Sequence, residues 1–373
     1  MSGPAPPAVA VSSEIRNRVA IITLNRPEAL NALSYEMIMA LRSMLEGCAD
    51  QPEVRAILLK GAGDKAFCAG GDIRSLYQSF KDGKSQHREF FLAEYALDFM
   101  LHSFPKPYVA LMDGITMGGG MGLGQASTLR IVGDRTRIAM PEVGIGMFPD
   151  VGSSYFLSRL PGSLGPYLAL TGAQIRGADA VYARLADVYL SPDAVDSLTD
   201  DLESLAWRED GDEELRRLIH SRSALGLPAP SLSVLRAAID AHFSHPTVSA
   251  ILASLAGESR PEFADWAVQT SKLMRSRSPT MMAVALRQLQ RGRTMELSDC
   301  FRMELGMAEH AFHHGDLIEG VRALLIDKDN APRWNPARTE DVTEASVDAF
   351  FRERWRGGTH PLGDLERSVL RRG

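Results

Sequence analysis

The chain has 373 residues, too many for one small core. With 45% apolar and 24% charged residues and a net charge of −6, it reads as an ordinary soluble protein, without a basic face for nucleic acid or an anionic membrane. Its three cysteines, Cys48, Cys68 and Cys300, are far apart, match no metal spacing and build no disulfide framework, which fits a reducing compartment.

The opening residues, 1–16, are rich in Pro, Ala and Ser and are expected to be disordered. They carry neither a charged segment ahead of an apolar one nor an Arg-rich amphipathic pattern, and no stretch approaches the roughly 18 apolar residues of a membrane span. A cytoplasmic location is the expectation. Val19–Leu24 is a β-branched run closed by Asn25-Arg26-Pro27 and predicts a strand. Met37, Leu41 and Leu45 predict a helix over Tyr35–Cys48, with Ser34 as its N-cap.

Val54–Lys60 predicts a second strand, followed by GAGDKAFCAGGDI, in which Gly61, Gly63, Gly70 and Gly71 allow close approach of backbone to a ligand. The segment lacks the spacings of a nucleotide-phosphate cradle. The helix predicted over Arg88–Leu101 carries Glu94 on the same stripe as Phe90, Leu97 and Leu101. A carboxylate there is costly unless it has a partner or lines a cavity. A third strand, Pro107–Met112, leads to three consecutive glycines, Gly118–Gly120. Their bare N–H groups at a helix start could stabilise a developing negative charge, or the glycines could serve only to make a tight turn.

Strand Leu129–Val132 and the extended Arg137–Met140 lead into Met140–Leu160, MPEVGIGMFPDVGSSYFLSRL. Pro141, Gly144, Gly146, Pro149 and Gly152 break this run too often for a helix or a long strand, so it is expected to be a loop. It holds Glu142 and Asp150 among apolar residues, where they are either solvated loop acids or perturbed functional ones. Beyond Gly172 the chain is mainly helical. Exposed acidic helices are expected over Asp193–Trp207 and Asp212–His220, and a Pro/Ser-containing link over Leu225–Ser233. A helix starts at Ser278-Pro279-Thr280, with Val284 and Leu289 expected to be buried, and Leu297, Phe301, Leu305, Ala308 and Phe312 form the apolar stripe of another. His310 and His314 are four apart on that helix, but no third ligand stands at a sensible spacing, so no metal is expected. The charged tail from Ala337 to Gly373, with His360-Pro361-Leu362, carries no assignable role.

Glycine-rich turns after successive strands, then an acid-bearing loop, suggest a repeated β-β-α scheme. The motifs NRPEALNAL (25–33), FCAGGDI (67–73), PYVALMDGITMGGGMGLG (107–124), Met140–Leu160, LALTG (168–172) and EGVRALLIDKDNAPRW (319–334) resemble the crotonase (enoyl-CoA hydratase/isomerase) superfamily over most of the chain. The resemblance implies an α/β fold, a spiral of β-β-α turns over 17–223, with a helical C-terminal region over 224–373 that covers an acyl-CoA site. It implies an enzyme that needs no cofactor, CoA being part of its substrate, and that has neither a nucleic-acid nor a membrane partner. A homo-oligomer is left open.

By motif, the backbone N–H groups of Gly71 and Gly119 are implied to hold the thioester oxygen, Ala69 and Ile73 to meet the adenine through their backbone, and Glu94 to contact the substrate. Family hydratases use two glutamates; Glu142 matches one, but Gly122 stands where the other is expected, and Asp150 replaces a small glycine. Losing one acid/base group puts hydration in doubt. The exchange instead resembles the branch that cleaves the thioester of 3-hydroxyisobutyryl-CoA or a related short 3-hydroxyacyl-CoA in valine breakdown; an enoyl-CoA hydratase or isomerase is the alternative. Glu142 could attack the thioester itself, the preferred route, or act as base on a water, with Asp150 orienting the 3-hydroxyl or the water. Lys65 and Arg26 are candidates to meet phosphates, and Cys68 is expected only to pack.

Overall fold

The computed structural model describes residues 9–208, 211–224, 226–355 and 359–367. Its strands are β1 Val11–Arg16, β2 Val19–Leu24, β3 Ala56–Gly61, β4 Ala66–Cys68, β5 Tyr108–Leu111, β6 Ile115–Met117, β7 Leu129–Val132, β8 Arg137–Ala139, β9 Ile175–Arg176 and β10 Val188–Tyr189. The larger sheet runs β1-β2-β3-β5-β7-β10 and the smaller β4-β6-β8-β9. The pairs β3/β4, β5/β6 and β7/β8 each place their first strand in the larger sheet and their second in the smaller. Helices follow the first two pairs, so the chain winds through the expected β-β-α spiral.

Alternation along the central strands explains why they read as unbroken apolar runs. Ala20, Ile22 and Leu24 of β2, Ile57 and Leu59 of β3, and Tyr108 and Ala110 of β5 face the main core. Val19, Ile21, Ala56, Leu58, Val109 and Leu111 face a second core on the other side, and strands buried on both faces need no polar alternation. The helices Pro192–Glu203 and Gly211–Ser221 cover that second face with Val195, Leu198, Leu202, Leu215 and Ile219. The expectation of exposed acidic helices is thus corrected: they are amphipathic, and only their outer faces meet water.

The expected disorder of residues 1–16 is corrected in part. Residues 1–8 lie outside the described residues, but Val11–Arg16 forms β1, antiparallel to β2 from Val11↔Leu24 to Arg16↔Val19. The connecting Asn17 and Arg18 both have positive φ, 40° and 67°, matching the twist of a tight hairpin. Only Val11 of this edge strand is buried, so VSSEIR carries no apolar signal. The helical C-terminal region packs into the main core rather than apart from it: Ile239, Val284, Phe301 and Phe350 share that core with Leu33, Phe90 and Leu168. Residue 225 of the expected link lies outside the described residues, and the helix Ser231–Phe243 begins within the link.

The motif NRPEALNAL has a structural explanation in Asn31. Fully buried, it accepts from Arg26 N at 3.0 Å and donates through Nδ2 to Ala62 O at 3.0 Å and Ala66 O at 2.8 Å. Leu33 N donates to Gly70 O, and Ala69 N to Leu30 O, so this loop fixes the backbone of residues 69–71. Asn31→Ala strands three backbone groups, of which Ala66 O is buried and Arg26 N and Ala62 O are part-buried, and should cost about 2–4 kcal/mol, since a buried unpaired group costs about 1–3 kcal/mol and the other two partly reach water. Urea denaturation at neutral pH measures the loss, and a loss below about 1 kcal/mol would contradict this role.

Candidate active site

Strands β4, β6 and β8 lie side by side and parallel in the smaller sheet. Their C-terminal ends therefore open on one edge, with neighbouring strands about 4.8 Å apart. Residues 69–73 follow β4, Gly118–Gly120 follow β6, and Pro141–Glu142 follow β8. The topology itself thus brings together segments that lie far apart in sequence, Gly71 and Glu142 being 71 residues apart.

They converge on a cavity of about 100 Å³, lined among others by Ala69, Gly71, Ile73, Glu94, Gly119, Glu142 and Asp150. The seven residues expected to act on or hold the acyl-CoA, Ala69, Gly71, Ile73, Glu94, Gly119, Glu142 and Asp150, all lie on its wall. Larger hollows, such as one of about 470 Å³ between Arg291 and Trp355, contain none of them. Arg26 instead donates to Ala32 O at 2.9 Å, and Lys65 lines a separate hollow with Pro27 and Gly63. Cys68 is fully buried and its thiol is pushed up to about 12 by that burial, so it is inert. The nitrogen Nδ1 of His310 is engaged by Arg354, and its ring packs edge-on against Phe350.

The helix Gly119–Gln125 opens on Gly118, whose φ of 49° and ψ of −123° suit glycine. Neither Gly71 N nor Gly119 N donates to an acceptor among the described residues. Both amides are therefore free for an oxygen placed in the cavity. The neighbouring helix, Gln86–His102, is buried around most of its circumference. Its Glu94 lies directly over Gly119, where an added Cβ would come within 2.2 Å of Oε1. One turn on, Asp98 covers Gly122: a Cβ there would meet Asp98 Oδ2 at 2.5 Å and Val151 Cβ at 2.8 Å. The space that a larger residue 122 would need is already filled.

Five carboxyl groups meet around this helix pair: Glu94, Asp98, Glu142, Asp150 and Glu304, all buried. No salt bridge from a described residue reaches any of them. Glu94 Oε1, both Asp98 oxygens and Glu142 Oε2 have no hydrogen-bond partner among the described residues. Burial first, and then the neighbouring acids, hold Glu94, Asp98 and Glu142 well above the usual carboxylate range. Asp150 is pushed up only to about 6, because the Tyr95 hydroxyl donates to its Oδ2 at 2.7 Å against the same burial. Glu304 is pushed up to about 8 by burial, opposed by donors from Ser154 and Gly152.

Tyr95, Asp98 and Glu304 were absent from the sequence expectations. Asp98 stands four residues after Glu94 and so shares its core-facing stripe, and Glu304 falls among Phe301, Leu305 and Ala308 on the next long helix, Leu297–His314. The same periodicity that singles out Glu94 could have found both. Tyr95 had no such signal, because a buried tyrosine beside aromatic residues reads as core.

Comparison with known proteins identifies the lineage. A family model described as enoyl-CoA hydratase/isomerase matches residues 19–351. The chain belongs to the enoyl-CoA hydratase/isomerase family. Among curated members of this family it is 40% identical to the mitochondrial 3-hydroxyisobutyryl-CoA hydrolase of Rattus norvegicus, covering 91% of this chain and 88% of that one. It is 36% identical to the probable 3-hydroxyisobutyryl-CoA hydrolase 3 of Arabidopsis thaliana, with 92% of each chain covered. Among solved family structures, a carnitinyl-CoA dehydratase from Mycobacterium thermoresistibile superposes with a TM-score of 0.85 at 38% identity, covering 92% of this chain and 97% of that one. An enoyl-CoA hydratase from Rhodobacter sphaeroides 2.4.1 gives 0.82 at 35% identity, with the same coverage. The expectation of a cytoplasmic location is overturned here, since the vertebrate relatives are named as mitochondrial enzymes and the cytoplasmic default rested only on the lack of a visible leader.

The unpartnered acids have a consequence for stability. Asp98 is raised in the folded state, so its stabilising contribution is full below the unfolded value near 4 and declines as pH rises towards the folded one. Asp98→Asn, which cannot ionise, should match the parent near pH 4 and become the more stable protein at higher pH. The gap should open by at most about 1.4 kcal/mol per pH unit, the linkage slope of one proton. Urea midpoints at pH 5 and pH 8 test this, and a gap independent of pH would contradict it.

Proposed function

We propose that this chain hydrolyses the thioester of 3-hydroxyisobutyryl-CoA, or of a closely related short 3-hydroxyacyl-CoA, giving the free hydroxy acid and CoA in valine breakdown. The observation that carries the reading is the absence of an acid at residue 122, whose space is taken by Asp98 and Val151, beside an intact Glu142 and Asp150 on the cavity wall. The names of the hydrolase relatives point to the same substrate. The cavity of about 100 Å³ is small against the roughly 300–1,000 Å³ of drug-sized pockets, which suits a short acyl head.

In this reading the thioester oxygen sits between Gly71 N and Gly119 N. Fixed backbone donors aimed at the developing oxyanion are commonly the largest single catalytic term, worth about 3–4 kcal/mol each. The Glu142 carboxylate attacks the acyl carbon, forming a C–O bond as the C–S bond breaks, and the CoA thiolate leaves and takes up a proton. Water then hydrolyses the mixed anhydride and returns Glu142 as a carboxylate. If Glu142 instead takes a proton from water, the attacking oxygen is that of the water and no anhydride forms. The raised proton affinity of Glu142 makes its ionised form the stronger base, which suits the second route. Asp150, fixed by Tyr95, is read as the acceptor for the substrate's 3-hydroxyl, and Glu94 as a neutral contact to the acyl group. Ala69 and Ile73 are read as backbone contacts to the adenine.

The second reading is hydration of a short enoyl-CoA, favoured by the solved relatives, a carnitinyl-CoA dehydratase and an enoyl-CoA hydratase. One pair of assays separates the two. Thiol release from 3-hydroxyisobutyryl-CoA at a kcat above about 1 s⁻¹, an ordinary enzymatic rate, is expected, with no loss of enoyl absorbance from crotonyl-CoA. Loss of enoyl absorbance without thiol release would replace the hydrolase reading by the hydratase one.

A further inference from the structure

The Asp150 carboxylate is carried by a turn that the chain does not favour. Val151 has a φ of 53° and the following Gly152 a φ of 84°. A β-branched residue in the left-handed region is a genuine outlier and persists only where its surroundings over-determine it. Val151 is 99% buried by its exposure of 1%, and its side chain closes over Gly122. The turn is therefore what seals the space beside Asp98 and points Asp150 at Tyr95.

Two side chains from the C-terminal helices hold this turn. Glu304, fully buried, accepts from Gly152 N at 2.7 Å through Oε2, and through Oε1 from Ser154 N at 2.9 Å and Ser154 Oγ at 2.5 Å. Gln288, also fully buried, donates through Nε2 to Pro149 O at 2.6 Å and Ser154 Oγ at 2.8 Å. Within the turn, Ser153 N donates to Asp150 O at 2.9 Å and Ser153 Oγ to Pro149 O at 2.5 Å. The backbone on both sides of Asp150 and Val151 is thus pinned by groups more than 130 residues away in sequence, Gln288 to Ser154 spanning 134. Neither Glu304 nor Gln288 lines the cavity.

We propose that Glu304, assisted by Gln288, is a positioning residue that locks the left-handed Val151–Gly152 turn and so sets the place of the Asp150 carboxylate. The helical C-terminal region thereby takes part in selecting hydroxylated acyl groups. This rests on the reading of Asp150 as the group that meets the 3-hydroxyl. A carboxyl group suits the task because both of its oxygens can accept, whereas a glutamine offers one acceptor oxygen and must set an N–H₂ against a backbone N–H. A buried donor left without its acceptor pushes the turn away from its strained geometry.

The test is a double-mutant cycle of Glu304→Gln and Asp150→Asn, with kcat and KM measured on 3-hydroxyisobutyryl-CoA and on isobutyryl-CoA, which lacks the hydroxyl. Glu304→Gln should lower kcat on the hydroxylated thioester by about 10- to 100-fold, the scale of a misplacement near 1 Å, while KM stays within about twofold. The loss on isobutyryl-CoA should be several-fold smaller, and in the Asp150→Asn background Glu304→Gln should add almost nothing. If Glu304→Gln is poorly folded, Ser154→Ala removes the Ser154 hydroxyl's bonds to Glu304 and Gln288 while leaving the backbone bonds of Gly152 and Ser154 to Glu304, and should show the same pattern with a smaller amplitude. Equal losses on both thioesters, or losses that multiply in the double variant while Asp150→Asn is itself impaired, overturn the proposal alone. Wild-type kinetics in Asp150→Asn overturn the reading of Asp150, and the proposal with it.

Discussion

The contact on which the site depends is that of a glycine-only helix surface with two carboxyl groups. Glu94 lies over Gly119 and Asp98 over Gly122, at distances that leave no room for a Cβ at either position. This contact sets how closely the helices Gly119–Gln125 and Gln86–His102 approach. It also settles where the smaller sheet's strand ends, and the loops that leave them, can place Glu142 and Asp150. Packing of this density leaves no water-sized slack to absorb a larger residue.

The electrostatic consequence follows directly. Acids brought this close, with no described cation among them, cannot all ionise, and their proton affinities are spread by what each touches. Asp150 has a hydroxyl donor and ionises most readily, whereas Asp98, with no hydrogen-bond partner among the described residues, is held well above the usual carboxylate range by burial and its acidic neighbours. In the proposed reading this gives one site an anion to recognise a hydroxyl, a neutral acid to contact the acyl group, and beside them Glu142 with a raised proton affinity. A second acid at residue 122, as family hydratases use, has no place in this arrangement. A shift from hydratase to hydrolase chemistry would therefore involve the partner helix as much as the catalytic loop.

Much of this was legible in the sequence because it lies in local patterns. Glu94 betrayed itself by falling on an apolar helical stripe, and Glu142 and Asp150 by falling in an apolar, glycine-broken loop. The strands of the spiral were visible as short β-branched runs, though β4 and β6, three residues each, are too short to carry a period and were missed. The Tyr95–Asp150 bond and the clamp of Glu304 on Gly152 and Ser154 were not legible, since they join elements 55 and about 150 residues apart and leave no local trace. The edge strand β1 was mistaken for disorder because only one of its side chains is buried. The location of the protein was misjudged because composition says little about an address.

The proposed chemistry depends most directly on Glu142. With Glu142→Gln, the protein should still bind 3-hydroxyisobutyryl-CoA, with a Kd within a few-fold of the parent's KM. Thioester cleavage in a single turnover with enzyme in excess should fall by at least about 10³-fold, since Glu142 in either role attacks the thioester or activates the water that does. Retained binding with lost cleavage is the predicted result. Cleavage at the parent's rate in that variant would contradict the central claim.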